Sequence, residues 1–306
     1  MSGYVTVVGG ANVDIGGFSR APLVDRDSNP GRVSLSLGGV GRNVAHNLCL
    51  MGQHVKLISV MGQDANGSMI CEGCEAVGMD LSLSRAIRGR RTSTYLYVAD
   101  SDGDMRLAIA DMDIYDAITP DFLARRMDAI NAGRAVVVDA NLPEESILYL
   151  ARHAKVPVVA DPVSGAKAAR LIPALPHLAA IKPNALEAGI LTGEDTSSFE
   201  GICRAAERLV ELGAGRVLIT MGEQGVCCAD EAGQMVLPSL SVAVRNATGA
   251  GDAFTAGLCV GMLRGWDLKR VGRLAQAASV IAIASEYTVN PDMSLQRLLE
   301  TAGEIP

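Results

Sequence analysis

The chain has 306 residues, 49% of them hydrophobic and 20% charged, with a formal net charge of −7. That apolar fraction supports a large core without disulfides or metals, and one α/β domain of this length is ordinary. The acidic balance argues against DNA or RNA as a partner, since duplex binding needs a basic footprint. A small anion such as a nucleotide stays open, because backbone donors bind anions on acidic proteins too.

Taken in chain order, Tyr4–Gly10 is a short apolar run ending in glycines, as a buried strand would be. Ile15–Leu37 is polar and turn-rich, with Asp27-Ser28-Asn29-Pro30-Gly31 as a turn and Val33–Leu37 alternating like a half-exposed strand. Cys71-Glu72-Gly73-Cys74 has CxxC spacing within a helical pattern, and nothing completes a four-ligand site. Seven scattered cysteines do not form a secreted disulfide framework. Thr92–Val98 and Met105–Ala110 flank the turn at Asp100-Ser101-Asp102-Gly103 and predict a hairpin.

From Pro120 onward strand and helix patterns alternate. Ala135–Asp139, Val156–Ala160, Ala179–Ile181 and Arg216–Thr220 are strand-like, and Ser197–Leu212 is helical. The alternation predicts parallel βαβ units, whose ligands bind where strands end. Beyond Thr248 the pattern is successive helices with a loop around Tyr287–Pro291. No basic n-region with an apolar stretch opens the chain, and no apolar run nears the ~18 residues of a membrane span. The expectation is a cytoplasmic protein with no membrane partner.

Four segments carry candidate chemistry. In Asn246-Ala247-Thr248-Gly249-Ala250-Gly251-Asp252-Ala253-Phe254 a glycine-containing turn opens an apolar helix. The amides of Gly249, Ala250 and Gly251 are candidates for an anion hole, with Asp252 beside it as a base. Locally, Asp252 is equally a helix cap. Gly38-Gly39-Val40-Gly41-Arg42-Asn43 before a helix is either a plain junction or a close-approach surface for a hydroxyl-rich ligand held by Asn43; it matches neither a dinucleotide nor a Walker pattern. Asn184 and Glu187 read as a capping box, or as groups near hydrated magnesium. Thr220-Met221-Gly222-Glu223-Gln224-Gly225 is a hairpin turn or a nucleotide contact. The four histidines, at 46, 54, 153 and 177, show no ligand spacing or triad.

In this order the segments GGVGRNVA, KPNALEA, TMGEQG and TGAGDAF resemble the PfkB (ribokinase-like) family of carbohydrate and nucleoside kinases, with matching stretches from Asn12 to Pro291. The resemblance implies an α/β fold, ribokinase-like, with a central mostly parallel sheet flanked by helices and a small β lid. It implies one kinase domain over 1–306 with lid segments at about 15–37 and 90–112. It also implies ATP and Mg²⁺ as cofactors and a small-molecule nucleoside or sugar as substrate. Carried over, Asp252 is the base and Gly249, Ala250 and Gly251 the anion hole. Asp14, Gly39 and Asn43, with Asn141, hold ribose hydroxyls. Asn184 and Glu187 organise phosphates and magnesium, Glu187 being the metal residue, and Thr220, Gly222, Gly225 and Gln276 line the ATP site.

Within the family the loops are most similar to those of its pseudouridine kinases, which implies transfer to the 5′-hydroxyl of pseudouridine, with Ser28 and Asn29 as base contacts from the lid. The alternatives are a related kinase acting on ribose, another ribonucleoside or a ketose, and a non-catalytic sensor on the same scaffold. Asn246 departs from the family pattern, which mostly has an acidic residue there, near an activating monovalent cation; the departure counts against K⁺ as a cofactor. Exposed lid edges suggest a homodimer paired through the lid.

Overall fold

The structure, a computed structural model, describes residues 3–240 and 242–304; the ends of the expected 1–306 domain lie outside them. The chain begins with β1 (Tyr4–Val8), β2 (Asn12–Ser19), β3 (Gly31–Gly38), α1 (Val40–Leu50), β4 (His54–Ile58), β5 (Val60–Gly62) and α2 (Ala65–Glu75). It continues with β6 (Arg85–Ile87), β7 (Thr94–Ala99), β8 (Met105–Asp111), α3 (Pro120–Ala124), α4 (Met127–Asn131), β9 (Ala135–Asp139), α5 (Glu144–His153) and β10 (Val158–Asp161). After these come α6 (Gly165–Ala168), β11 (Ala180–Ile181), α7 (Ala185–Thr192), α8 (Phe199–Glu211), β12 (Arg216–Thr220), β13 (Val226–Asp230) and β14 (Gly233–Leu237). Helices α9 (Ala250–Leu263), α10 (Leu268–Ile283) and α11 (Leu295–Thr301) close it.

Eight strands form the central sheet in the order β14-β13-β12-β11-β10-β9-β1-β4. β4 through β12 in that order pair in parallel, and β13 and β14 add antiparallel to the edge. Strand β9 (AVVVD) is buried throughout and apolar up to Asp139 because both faces are covered. Ala135 and Val137 join the core under α1, α9 and α10, while Val136 and Val138 join the core under α5, α7 and α8. Among the described residues no helix is long and apolar enough to cross a membrane.

A second, four-stranded sheet in the order β3-β2-β7-β8 stands on the body. The expected hairpin is β7–β8, but β2 corrects the reading of Ile15–Leu37. A strand runs through Gly16-Gly17-Phe18-Ser19 despite the glycines, because β3 and β7 supply ladder partners on both sides. Cys71 and Cys74 lie on α2 with Cys74 fully buried, and burial pushes its thiol up to about 11, so they pack rather than react.

Asp139 at the end of β9 fastens the sheet to α1. Its Oδ2 accepts the amides of Gly10 and Gly41, each at 2.8 Å, and its Oδ1 accepts that of Asn141 at 2.9 Å. The junction needs glycine at 39, where φ is +95° and a Cβ would meet Gly10 O at 2.5 Å. Asp139→Ala strands these buried amides, at about 1–3 kcal/mol each. Denaturant unfolding is therefore expected to show a loss of about 3 kcal/mol or more; a loss below about 1 kcal/mol refutes the fastening role.

Candidate active site

Strands β9, β10, β11 and β12 all end on one side of the sheet, and each end contributes a polar group: Asp139, Asp161, Lys182 and Thr220. Helix α9 starts above them. Its N-cap Gly249 is left-handed (φ +83°), and a Cβ there would meet Thr288 O at 2.0 Å, so the turn rests directly on the C-terminal loop. A Cβ on Gly251 would lie 2.9 Å from Lys182 Nζ, which sets that ammonium against the helix start. The Ala250 amide reaches back weakly to Ala247 O at 3.4 Å. The first turn thus brings amide dipoles, a cation and Asp252 to one point.

Asp252 is held by a side chain from α1. Asn43 Nδ2, in the first turn of α1, donates to Asp252 Oδ2 at 2.6 Å. Asn43 is itself oriented by Arg42, which donates to Asn43 Oδ1 and to the carbonyls of Leu37 and Gly38. Loss of hydration, and then the like charge of Asp161, push the Asp252 carboxyl up to about 7, against the pull of Asn43, Lys182 and Arg42. A carboxyl poised there is suited to accept a proton near neutral pH.

Lys182 is the centre of the charges. It is 6% exposed, lies 3.2 Å from Asp161 Oδ2, and shares its surroundings with Glu187 and Asp252. Burial opposes its charge, yet the three carboxylates together hold its pKa above the usual lysine range. Thr255 Oγ donates to Asp161 Oδ2 at 2.7 Å. Beside Asp161 the backbone is strained: Val163 has φ +69°, and Ser164 N–H closes a tight turn onto Pro162 O at 2.7 Å.

Thr220, Gly222, Gly225 and Gln276 line one cavity of about 570 Å³ together with Ala250, Gly251, Phe254 and Ser279. The segment Thr220–Gly225 turns β12 into β13, as the hairpin alternative expects, and its residues also face the cavity. Gly225 is required structurally (φ +97°, with Leu237 O 2.1 Å from a Cβ), and the Gln276 amide donates to the carbonyls of Leu237 and Pro238. Asn184 is exposed and bridges beside Thr220. The capping box is formed: Asn184 Oδ1 accepts Glu187 N–H and Glu187 Oε2 accepts Asn184 N–H, both at 2.9 Å. Glu187 is 3% exposed, and burial raises its pKa. Among the described residues no cluster of three or more His, Cys, Asp or Glu forms a metal cage. The donor set of one capped carboxylate with carboxylates nearby fits a hydrated Mg²⁺ held mainly by water and phosphate.

On the lid side, Asp14 Oδ1 accepts from Asn12 Nδ2 at 2.5 Å, and burial raises its pKa despite the nearby Arg42. Asn141 Oδ1 accepts Lys167 Nζ at 2.6 Å, and Asn141 Nδ2 lies 2.9 Å from where a Gly10 Cβ would be. Asp14 lies against Gly38, Gly39 and Asn141 both lie against Gly10, and Asn43 joins Asp252, while Ser36, opposite Asp14 on β3, lines a cleft of about 410 Å³ with Arg42. Ser28 and Asn29 are not brought there. They sit in the exposed loop past the tip of β2 and β3, where the Asn29 amide binds Val24 N–H, Val24 O and Asp27 O. A turn that must satisfy its own backbone uses up that side chain. Asn246 is similarly engaged: Oδ1 accepts Thr248 N–H at 2.9 Å and Nδ2 donates to Glu286 O at 3.1 Å.

Sequence reasoning passed over Lys182, Asp161, Asp139 and Arg42. A signal existed for two of them, since an apolar strand run that ends in a buried acid (AVVVD, VVAD) is unusual.

The chain matches the family model "pfkB family carbohydrate kinase" over residues 2–294. It is 36% identical over 298 residues to the pseudouridine kinase of Escherichia coli strain K12, covering 97% of this chain and 95% of that one. A carbohydrate kinase from Agrobacterium tumefaciens superposes with TM-score 0.87 at 29% identity, covering 99% and 98% of the two chains. The Arabidopsis thaliana ribokinase complexed with ribose and ATP shares the fold, with TM-score 0.87 at 24% identity and 99% coverage of both chains. This ribokinase-like protein is thus a member of the pfkB family of carbohydrate kinases, phosphotransferases that act on a hydroxyl group.

Proposed function

We propose that the protein is an ATP-dependent pseudouridine kinase that transfers the γ-phosphate to the 5′-hydroxyl, giving pseudouridine 5′-phosphate. The observation that carries this reading is the position of Asp252, which follows the cavity-lining Ala250 and Gly251 and is hydrogen-bonded to Asn43 on the lid side. Likeness to the Escherichia coli pseudouridine kinase supports the choice of substrate. In this reading ATP lies in the cavity with its terminal phosphate at the α9 entrance, and the sugar hydroxyls are held by Asp14, Asn43, Gly39 and Asn141. Asp252 accepts the 5′-hydroxyl proton as the oxygen attacks phosphorus. The Gly249–Gly251 amides and Lys182 oppose the charge on the transferred group, so positioning and electrostatics supply most of the catalysis. Mg²⁺, when bound, neutralises phosphate charge, and Glu187 with Asn184 would hold it through water.

An ADP-release assay over pseudouridine, uridine, adenosine, ribose and fructose tests the substrate; equal turnover of uridine and pseudouridine defeats the specific claim in favour of a broader ribonucleoside, ribose or ketose kinase. Asp252→Asn is expected to lower kcat by about 10²–10⁴. Because the raised pKa keeps Asp252 protonated in acid, wild-type kcat/KM should fall about tenfold per unit below about pH 7 and level off above it. A kcat within about tenfold of wild type in the Asn variant refutes the base.

A hydrogen-bond donor of Asn246 faces the Glu286 carbonyl, so this pair of loops offers a monovalent cation a poor oxygen set. Rates in K⁺ and Na⁺ at equal ionic strength are expected to agree within about twofold, and a large K⁺ activation overturns this.

We also propose a homodimer through the lid, but by its face rather than its edges. Val33 with Leu107, and Leu35 with Leu96 and Ile109, lie in two cross-strand rows on one face, each 40–67% exposed. Light scattering should give twice the 31.9 kDa chain mass, and Leu107→Asp should give monomer; a monomeric wild type at micromolar concentration refutes it. All seven cysteines are free, which supports a reducing, cytoplasmic location.

A further inference from the structure

The other face of the lid sheet has an unexpected composition. The chain has one Trp, six Tyr and four Phe, and three of these few aromatics, Phe18, Tyr95 and Tyr97, share this face. The register sets Asp14 opposite Tyr95, Gly16 opposite Tyr97 and Phe18 opposite Ala99. Ser36 and Ser34 flank Asp14 and Gly16 on β3, and Ala110 and Ala108 flank the two tyrosines on β8. Small residues therefore surround two large rings.

This face borders the cleft, since Ser36, beside Asp14, lines it together with Arg42. It carries Asp14, whose charge is felt by Arg42 in the chain of contacts to Asn43 and Asp252. The opposite face is covered at its base, where Leu37 Cδ1 lies 2.2 Å from where a Gly73 side chain on α2 would begin.

The Tyr97 ring does not stand up from the sheet. A Cβ on Gly16 would lie 2.6 Å from Tyr97 Oη and 2.7 Å from Cζ, so the ring lies across β2 in the space that glycine leaves open. Phe18 meets it edge-on (centroids 5.8 Å, 88°), and Tyr95 packs beside it at 5.9 Å and 36°. Arg32 lies 4.7 Å over the Phe18 ring. A ring laid flat and braced at its edges presents a π face to the cleft, two strand residues (about 7 Å) from Asp14. A free pentose has no planar group to place there, whereas a nucleoside held by its ribose at Asp14 does.

We propose that Tyr97, braced by Phe18 and Tyr95, is the stacking platform for the base of a nucleoside, and that Gly16 is required to keep it flat. This rests on the proposed placement of the sugar at Asp14 and Asn43, and it gives the base contact to the lid sheet rather than to the Ser28–Asn29 loop. Stacking reads a planar ring rather than its hydrogen-bonding edge, so the platform selects nucleosides over sugars and leaves the choice among bases to other groups.

The test compares wild type, Tyr97→Ala, Tyr97→Phe and Gly16→Val on pseudouridine, uridine and ribose, with the KM for ATP and the melting curve as controls on folding. Tyr97→Ala and Gly16→Val are expected to lower kcat/KM for the nucleosides by about 10- to 100-fold, while Tyr97→Phe, which keeps the π face, stays within about threefold of wild type. Ribose turnover and the KM for ATP should move less than about threefold in every variant. Nucleoside kcat/KM unchanged in Tyr97→Ala, or ribose and nucleosides falling together, overturns the platform while leaving the kinase reading standing. A wild type that phosphorylates ribose but no nucleoside overturns the nucleoside reading itself.

Discussion

One buried cation holds the site together. Lys182 sits at the end of a two-residue strand with Asp161, Glu187 and Asp252 around it; Lys182, Asp161 and Glu187 are buried and Asp252 is partly so. Three carboxylates brought this close would repel one another, and the ammonium between them offsets that repulsion. Asp252 feels both influences, being raised by burial and Asp161 and lowered by Lys182. The result is a carboxyl near the midpoint of its titration at neutral pH, which a fully hydrated aspartate never is.

The rest of the architecture brings a cavity and a cleft to that cluster. α9 and α1 both begin at the carboxyl edge of the sheet, and the Asn43–Asp252 hydrogen bond joins their first turns. On one side β12, β13 and α10 wall a cavity with small and apolar residues. On the other, the Asp139 staple presses Gly10 and Gly41 together so that α1 enters close against β1. Parallel α/β sheets favour this edge for ligands because strand ends and helix starts meet there, and the amides and carboxylates here obey that rule.

The lid is built on a different principle. Its four strands show water on both faces at the tip, so each face carries side chains suited to a different contact: aliphatic rows on one, and aromatic, serine and aspartate on the other. The alternation of side chains along a strand keeps the two chemistries separate. A slip of one residue in β2 would exchange Asp14 for Ile15, and both faces would be lost at once.

The sequence alone determined what depends on neighbours in the chain. Apolar runs such as AVVVD and RVLIT name their own strands, Asn184 and Glu187 announce their cap, and the glycines at 249 and 251 mark a helix entrance. Only the tertiary structure decided which of these groups meet. Lys182 and Asp161 are 21 positions apart and Asp252 another 70, so no local pattern sets them around one point. Nor does any local pattern show that Asn29 is spent on its own loop, or that Gly16 is bare because Tyr97 lies over it from a strand 81 residues away. Periodicity and capping are read from adjacent residues, whereas sheet order and register are set by burying distant residues against one another, and that burial is what gives these polar groups their chemistry.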